Sequence, residues 1–512
     1  MSQTPMIGTW RRAMIVGVVL VATHAASAVY YAHRYASGVV QTPSRPMTLD
    51  LTPEQWAQAA HGADSTAYLE VAGNVASGKG VVWKVANGTP PREEPFIFWG
   101  PGAPVVLGWW LKLVGGQTMF TFFMFAVVAQ LVAGALAVAT AAQWTRSTIA
   151  LSLVAFGSGC CPPLQEWFYG IHLTSSEIVA LPMLALLFFV LSKAFSAWAD
   201  GGTGGRSESG GRSKPSGIVA RSTAFWRRYV PDGLSRQAWL WFGLTGVLIG
   251  CTSLTRDCVR VFAWFIAVFV IARAVAFDRR RLKAALVVSA VLLAGEYAIR
   301  YPVQAWNRHR SGRSTICQSS EGCVWRYGLW FKHDEFDWYE SAGIGFGEYL
   351  DPDAATRVGA YYKSGAPAAD FYSMAQLAQA VWKRPVDALA FKAARLPVLW
   401  LGTDRWPRME ARLVSVWCVA MYAVLAVFIA VQIRRRRAIP EVLYLYMLLL
   451  MCASPVMHFE FRYTFPVWNT LVLTPGLLAA TLIRDGWRLR RRDQRTVDIA
   501  PSTATYGTSL AA

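Results

Sequence analysis

The sequence predicts an all-α polytopic membrane protein with about ten transmembrane helices. Of its 512 residues, 54% are hydrophobic and only 16% are charged, which is too apolar for a soluble chain of this length. Apolar runs of about 17–25 residues, long enough to cross a bilayer as a helix, recur along the chain. These runs lie near residues 14–32, 119–143, 148–164, 177–196, 238–254, 258–277, 284–299, 411–433, 439–456 and 464–483.

The positions of the basic residues explain the net charge of +19. Arginine and lysine collect before the first run and in the short segments between alternate runs, so ten spans place them all on one side of the membrane. The positive-inside rule assigns that side, and both termini, to the cytoplasm. We therefore attribute the excess charge to membrane orientation and expect no nucleic-acid partner. The chain has no endoplasmic-reticulum retention motif, and we expect a bacterial inner (plasma) membrane.

The first apolar run has two interpretations. It follows Arg11 and Arg12 and ends near "HAASA", which has the small-residue pattern of a signal-peptidase site. The apolar stretch continues through "VYYA", which favours a retained transmembrane helix. In either case residues 33–103 are exported.

The runs and loops divide the chain into four parts. The longest exported segments are the first loop and the region before the eighth span, and a Gly/Ser-rich stretch forms a cytoplasmic linker. The parts are an N-terminal transmembrane module (1–299) with the first exported loop (33–118) and the linker (197–236), an exported loop or lid of mixed structure (300–410), the C-terminal transmembrane helices (411–485), and a cytoplasmic tail predicted to be disordered (486–512).

The first exported loop contains "HGADSTAYLEVAGNVASG", which has the pattern of a short helix beginning near Asp64 or Ser65. Asp64 lies one turn before Tyr68 and shares its face. We expect this helix to lie flat at the membrane surface, with Asp64 pointing toward that surface. Its apolar stripe comprises Tyr68, Val71, Ala72, Val75 and Ala76. A proline-rich turn and a second short helix at 103–114 follow it.

Arginines at the exported ends of spans run against the positive-inside bias. They occur in "SLTRDCVR", "WNRHRSGR" and "PVMHFEFRYTFPV", which contain Arg256, Arg260, Arg308 and Arg462. Binding of a phosphate would explain them, because the guanidinium group keeps its charge and offers a planar fork of donors. Snorkelling to headgroups, or internal pairing such as Arg462 with Glu460, is the alternative.

Other polar residues of the exported segments have less specific patterns. Glu177 opens the fourth span, where a carboxylate complements the helix dipole. His172, His458 and Tyr68 receive no role. Cys317 and Cys323 are spaced closely enough for a disulfide in an oxidising compartment.

Several motifs together resemble the polytopic GT-C glycosyltransferases that use polyprenyl-phosphate sugars, especially the protein O-mannosyltransferase and aminoarabinose transferase-like group. They are "ADSTAYLEVAGNVASGK", "WGPGAPVVLGWWLKLVGG", "LTSSEIVALPMLALLFFVL", "GCTSLTRDCVRVFAWFIAVFVIARA" and "HFEFRYTFPVWNTLVLTPGLLAA". The resemblance implies a GT-C-like fold and transfer of a sugar from a lipid phosphate to a protein, lipid or glycan hydroxyl on the exported face. The resemblance covers most of residues 10–485, and it consists of weakly defined motifs that occur one after another along the chain.

The resemblance also implies site residues. An acid in the first exported loop of the family acts as the catalytic group, and Asp64 matches it. Ser65 follows, where family members often have a second acid. Glu177, and next Glu166, match a further acid between the third and fourth spans. Arginines near the late "RY" motif and at exported span ends contact the lipid phosphate, which implies roles for Arg462, Arg256 and, one turn further, Arg260.

The residue types accord with such chemistry. A carboxylate can accept the proton of an attacking hydroxyl, and arginines can stabilise a departing phosphate. No metal-ligand spacing occurs, so no cofactor is predicted, although a divalent metal is compatible with the chemistry. The alternatives are a polytopic transporter, a lipid-linked glycan polymerase or ligase, and a non-catalytic scaffold in which Asp64 only caps its helix. Aromatic residues in 300–410 fit either sugar stacking or a packed lid.

Overall fold

A computed structural model confirms the predicted helical membrane architecture. The structure describes residues 5–37, 48–52, 55, 63–85, 92–96, 100–115, 118–169, 175–200, 236–312, 314, 316, 400, 408–453 and 464–498. In these residues, nine helices are long and apolar enough to cross a membrane, and a shorter apolar helix covers the predicted ninth span. The protein is thus a multi-pass, predominantly helical integral membrane protein.

The described residues form fourteen α-helices, which we number in chain order. They are α1 Pro5–Ala36, α2 Ala63–Ala76, α3 Gly102–Val114, α4 Met119–Ala141, α5 Thr148–Gly159, α6 Pro162–Tyr169, α7 Ser176–Asp200, α8 Arg236–Thr255, α9 Arg260–Phe277, α10 Leu282–Ser311, α11 Arg408–Arg434, α12 Leu445–Ala453, α13 Phe465–Leu471 and α14 Thr474–Asp498. Short 3₁₀ helices cover Asp257–Val259, Arg279–Arg281 and Glu441–Leu443.

Three predicted spans differ from continuous helices. The described residues of the ninth, predicted at 439–456, form the 3₁₀ turn Glu441–Leu443 followed by helix α12, so this segment does not begin as one continuous α-helix. The third breaks between α5 and α6, directly before Pro162, which begins the new helix. The tenth breaks between α13 and α14, just before Thr474.

The first loop contains a small hairpin sheet that the sequence reading missed. Strand β1 (Val82–Val85) pairs antiparallel with β2 (Arg92–Pro95). The Asn74 side-chain amide of α2 donates to the Val82 carbonyl over 2.8 Å, which ties the sheet to that helix. Four residues per strand are too few to give a clear alternating pattern.

The apolar stripe of helix α2 packs on α3, and the expected position of α2 at the membrane surface stays a prediction. Val71 and Ala72 in the stripe are fully buried. A Cβ at Gly108 of α3 would fall 2.6 Å from the Val75 Cβ and 2.8 Å from the Ala72 carbonyl oxygen. The missing side chain at Gly108 therefore allows a close helix contact that the apolar pattern of α2 alone does not specify.

Close backbone packing also joins the membrane helices. A Cβ at Gly246 of α8 would lie 1.9 Å from the Leu292 carbonyl oxygen of α10, and one at Gly295 would lie 2.6 Å from the Gly243 carbonyl oxygen. Small residues at such crossings are typical of membrane helix pairs.

The membrane helices alternate in direction, so the bundle has two ends. We call the end where α7 begins and α8 ends the site end. We call the opposite end, where α9 and α11 finish at Phe277 and Arg434, the basic end.

Candidate functional site

A buried ion pair joins two predicted site residues at the site end. Glu177 lies in the first turn of α7, and Arg256 follows the last residue of α8 in extended conformation. Because α7 and α8 pack side by side, the two side chains meet, and Arg256 Nη1 lies 2.8 Å from Glu177 Oε1. The side chains are 13% and 1% exposed, respectively.

The hydroxyl of Ser176 completes this contact. Arg256 Nη1 donates to Ser176 Oγ over 3.2 Å, and Ser176 Oγ donates to Glu177 Oε2, also over 3.2 Å. Ser176 itself is 1% exposed. The three side chains therefore form a closed triangle of polar contacts that excludes most solvent.

A second carboxylate and a second guanidinium group extend the cluster. The 3₁₀ turn after Arg256 carries Asp257, which is buried, and α9 begins with Arg260. Arg260 Nη1 lies 3.7 Å from Asp257 Oδ1, and the Arg260 side chain is 38% exposed. Two carboxylates thus balance two guanidinium groups, and Arg260 is the more accessible of the two cations.

The first loop touches the end of α8 directly before Arg256. A Cβ at Gly100 would lie 2.3 Å from the Leu254 carbonyl oxygen, and one at Gly102 would lie 2.8 Å from Thr255 Cγ2. Glycine is needed at both positions because the loop backbone lies against the α8 backbone. The close approach at Gly100 and Gly102 therefore fixes the start of α3 beside the cluster.

Asp64 lies in the part of the first loop that leads to this contact. Helix α2 begins at Ala63, so Asp64 is in its first turn and not at its N-cap as expected. One turn later the Tyr68 ring meets the Phe96 ring, with centroids 6.2 Å apart. Phe96 precedes Gly100 by four residues. The Asp64 side chain is not among those that the structure describes, so its proximity to Arg256 stays a prediction.

An aromatic cluster occupies the site end beside α1. The Tyr35 hydroxyl donates to the Tyr169 carbonyl over 2.7 Å, and the Tyr169 ring contacts Phe123 at 5.3 Å between centroids. Arg34 is buried and lies over the rings of Tyr30 and Tyr31. Burial raises the pKa of Tyr169, so its hydroxyl stays neutral at physiological pH.

Several predicted residues lie outside the described part of the chain. Glu166 falls within α6, but its side chain is outside the description. The other such residues are Arg462, Cys317, Cys323, His172 and His458. Among the residues that are described, no group of three or more His, Cys, Asp or Glu side chains could hold a metal ion.

Sequence reasoning missed two features of the site. Ser176 was read only as part of the polar start of a helix, although a hydroxyl next to an acid at a helix start can contact the same partner. Gly100 and Gly102 lie in the stretch that the sequence predicts only as a proline-rich turn. Their spacing around a proline indicates a tight backbone course, but only the tertiary structure shows which helix that backbone approaches.

Comparison with known proteins gives a limited likeness. No protein-family model and no curated protein matches the chain. Three solved structures of the oligosaccharyltransferase from Archaeoglobus fulgidus are similar in backbone course. One is AglB in complex with an inhibitory peptide and a dolichol-phosphate, at 12% identity and a TM-score of 0.45 over 92% of this chain and 52% of that chain.

The other two structures give similar values. The enzyme tethered to an acceptor peptide containing the NVT sequon has 14% identity and a TM-score of 0.46, over 91% of this chain and 50% of that chain. The apo form has 13% identity and a TM-score of 0.42, over 93% of this chain and 52% of that chain. The chain thus spans about half the length of the archaeal chains that it resembles.

Proposed function

We propose that the protein is a GT-C-like membrane glycosyltransferase. It moves a sugar from a polyprenyl-phosphate donor to a hydroxyl acceptor, and the site end of the bundle faces the exported side of the membrane. The acceptor is a protein, lipid or glycan. The sequence motifs that resemble this family and the contacts within the charged cluster at the site end both support the proposal.

The observation that carries the proposal is the position of Arg256. Its guanidinium is largely buried at the end of two membrane helices, it contacts Glu177, and the loop that carries Asp64 packs against the residues just before it. Burying an arginine is costly even when it is paired, because the desolvation penalty can exceed the Coulombic gain of the pair. A cation held at that cost at the end of two membrane helices suits a lipid phosphate better than structural anchoring alone.

The proposed reaction uses a base beside the attacking hydroxyl and cations beside the departing phosphate. The acceptor hydroxyl oxygen attacks the anomeric carbon, and its proton passes to the Asp64 carboxylate. The bond between the anomeric carbon and the phosphate oxygen breaks, and the lipid phosphate leaves with the electron pair and one more negative charge. Arg256 and Arg260 stabilise that charge where little water is present.

Glu177 and Asp257 have a supporting role in this scheme. Each lies beside one of the two arginines, at 2.8 Å from Arg256 and 3.7 Å from Arg260. We assign Glu177 to holding Arg256 and leave proton transfer to Asp64, because a carboxylate in direct contact with a guanidinium is a weak base. Arg462 is proposed as a third phosphate ligand and Glu166 as a second acid, both from the family resemblance.

A transfer assay tests the proposal. Vesicles containing the protein are supplied with radiolabelled polyprenyl-phosphate sugars, and transfer to acceptors on the exported face is measured. We expect Asp64→Asn to abolish transfer, because the amide cannot accept the proton, while expression stays normal. Asp50→Asn is the matched control, since Asp50 is an exposed acid of the same loop, and it should retain full transfer.

The same vesicles separate the alternatives. Sugar that crosses the membrane unchanged, with no covalent product, would identify a transporter and refute the proposal. Transfer that proceeds at the wild-type rate in Asp64→Asn would reject Asp64 as the base. Extraction of the lipid that copurifies with the protein should yield a polyprenyl phosphate or its glycosylated form.

A further inference from the structure

The hydroxyl of Ser176 bridges the two charged groups of the Arg256 ion pair. Its oxygen lies 3.2 Å from Arg256 Nη1 and 3.2 Å from Glu177 Oε2, and the residue is almost completely buried. Its proton is directed to the carboxylate, so its oxygen lone pairs face the guanidinium. Ser176 therefore acts as an acceptor toward the arginine and as a donor toward the glutamate.

This bridge fixes the orientation of the guanidinium plane. Nη1 carries two N–H bonds that lie in that plane, and Glu177 Oε1 and Ser176 Oγ both contact Nη1. Among the described residues, the hydroxyl thus adds to the ion pair a second contact that restricts rotation of the group. With both contacts, the directions of Nε and Nη2 follow from the rigid geometry of the fork.

We infer that Ser176 is a positioning residue that orients Arg256 toward the phosphate of the lipid donor. The inference rests on the proposed function. It adds to that function an uncharged residue that does not contact the substrate. Ser176 acts through Arg256 alone. Its removal should weaken donor binding and leave the acceptor site unaffected.

Ser175 provides a matched control within the same turn. It is buried like Ser176, but its Oγ has no hydrogen-bond partner among the described residues. Changing either serine to alanine removes one buried hydroxyl at the start of α7. Only the change at position 176 removes a contact with Arg256, so any general effect of losing a hydroxyl there appears in both variants.

The first experiment compares Ser176→Ala and Ser175→Ala by donor binding and by transfer kinetics. A hydrogen bond to a charged group contributes enough that we expect the Kd for polyprenyl phosphate to rise about tenfold in Ser176→Ala. The KM for the acceptor should stay at the wild-type value in both variants. Ser175→Ala should match the wild type in every measurement.

The second experiment does not depend on donor or activity. Phenylglyoxal modifies arginine, and mass spectrometry gives the rate of modification at Arg256 in each variant. We expect Ser176→Ala to be modified several times faster than the wild type, because the guanidinium loses its hydrogen bond to Ser176, and Ser175→Ala to be modified at the wild-type rate.

These measurements separate the inference from the function on which it rests. Equal donor affinity and equal modification in the two serine variants would overturn the role of Ser176 and leave the transferase proposal standing. A wild-type protein that neither binds polyprenyl phosphate nor transfers sugar would overturn the transferase proposal, and with it this role for Ser176. Modification at Arg256 would still show whether the hydroxyl holds the guanidinium.

Discussion

Arginine–carboxylate pairs occur at both ends of the bundle, but their surroundings differ. At the site end, Arg256 and Glu177 are 13% and 1% exposed. At the basic end, Arg273 and Glu441 form an ion pair with side chains that are 37% and 18% exposed. The residue types are the same, and the difference lies in how much water each pair has lost.

This difference separates two reasons for placing arginine in a membrane protein. Arginines at the basic end are numerous, partly solvated, and explained by membrane orientation. An example is Arg281, whose Nε lies 3.2 Å from Oδ2 of Asp278, a carboxylate that is 48% exposed. Orientation gives no reason for a buried arginine at the other end, where desolvation makes it costly. The proposed function gives the buried pair a local role, and membrane orientation accounts for the solvated arginines of the basic end.

The largest expected effect comes from breaking each pair in the same way. Arg256→Gln leaves the buried Glu177 carboxylate without its arginine and should lower the free energy of unfolding by about 3–5 kcal/mol. Arg273→Gln should lower it by less than about 1 kcal/mol, because that pair is solvated. Thermal and denaturant unfolding in detergent measures both, and equal losses would contradict the comparison.

The next effect tests whether the first loop belongs to the site end. Gly108→Ala places a Cβ 2.6 Å from the Val75 Cβ, so α2 must move away from α3. If α2 carries the base, we expect transfer to fall about 100-fold, as for a displacement of about 1 Å in an active site.

Gly73→Ala is the matched control for this change. Gly73 lies on the same helix α2, and a Cβ added there has no neighbouring atom within 4 Å, so transfer should stay at the wild-type rate. Transfer at the wild-type rate by Gly108→Ala would show that catalysis does not depend on the position of α2.

A smaller effect is expected at the accessible arginine of the cluster. Arg260→Gln should change stability by less than about 1 kcal/mol and raise the Kd for polyprenyl phosphate about fivefold at low ionic strength, with a smaller effect in high salt. Arg310→Gln removes an exposed arginine from α10, outside the cluster, and should leave the Kd unchanged. An equal loss of affinity in both variants would show that Arg260 contributes only as a general surface charge and not as a specific ligand of the phosphate.

The smallest perturbation tests which end faces the exported side. Ser77→Cys after α2 and Arg436→Cys after α11 are exposed positions at opposite ends, and neither should affect transfer. A membrane-impermeant maleimide added to intact cells, in a variant without other accessible cysteines, should label position 77 and not position 436. The reverse labelling pattern would invert the proposed orientation.

The helical elements could be predicted from the sequence because each depends on local composition. Apolar runs located the nine helices of the described residues that are long enough to cross a membrane, and the second short helix, expected at 103–114, begins one residue earlier at Gly102. The breaks near Pro162 and Thr474 were missed, because window-averaged apolarity does not register local backbone breaks. The β1–β2 hairpin was missed because its strands are too short for a periodic signal.

The site was predicted only in part. Arg256 was selected because an arginine at an exported span end opposes the charge bias, and Glu177 because the family resemblance implies an acid between the third and fourth spans. That these two side chains contact each other could not be read from residues separated by 79 positions in the chain. Ser176, which contacts both, has no sequence signal that distinguishes it from Ser175.

The sequence by itself determined which segments are membrane helices and which end of the bundle is rich in arginine, because apolarity and charge act along the chain. Only the tertiary structure decided which charges are buried and paired, and which backbones approach each other at Gly100, Gly102 and Gly108. Those properties depend on the distance between segments that are remote in sequence. Electrostatic and packing energies change within a few ångströms, and no local pattern encodes that distance.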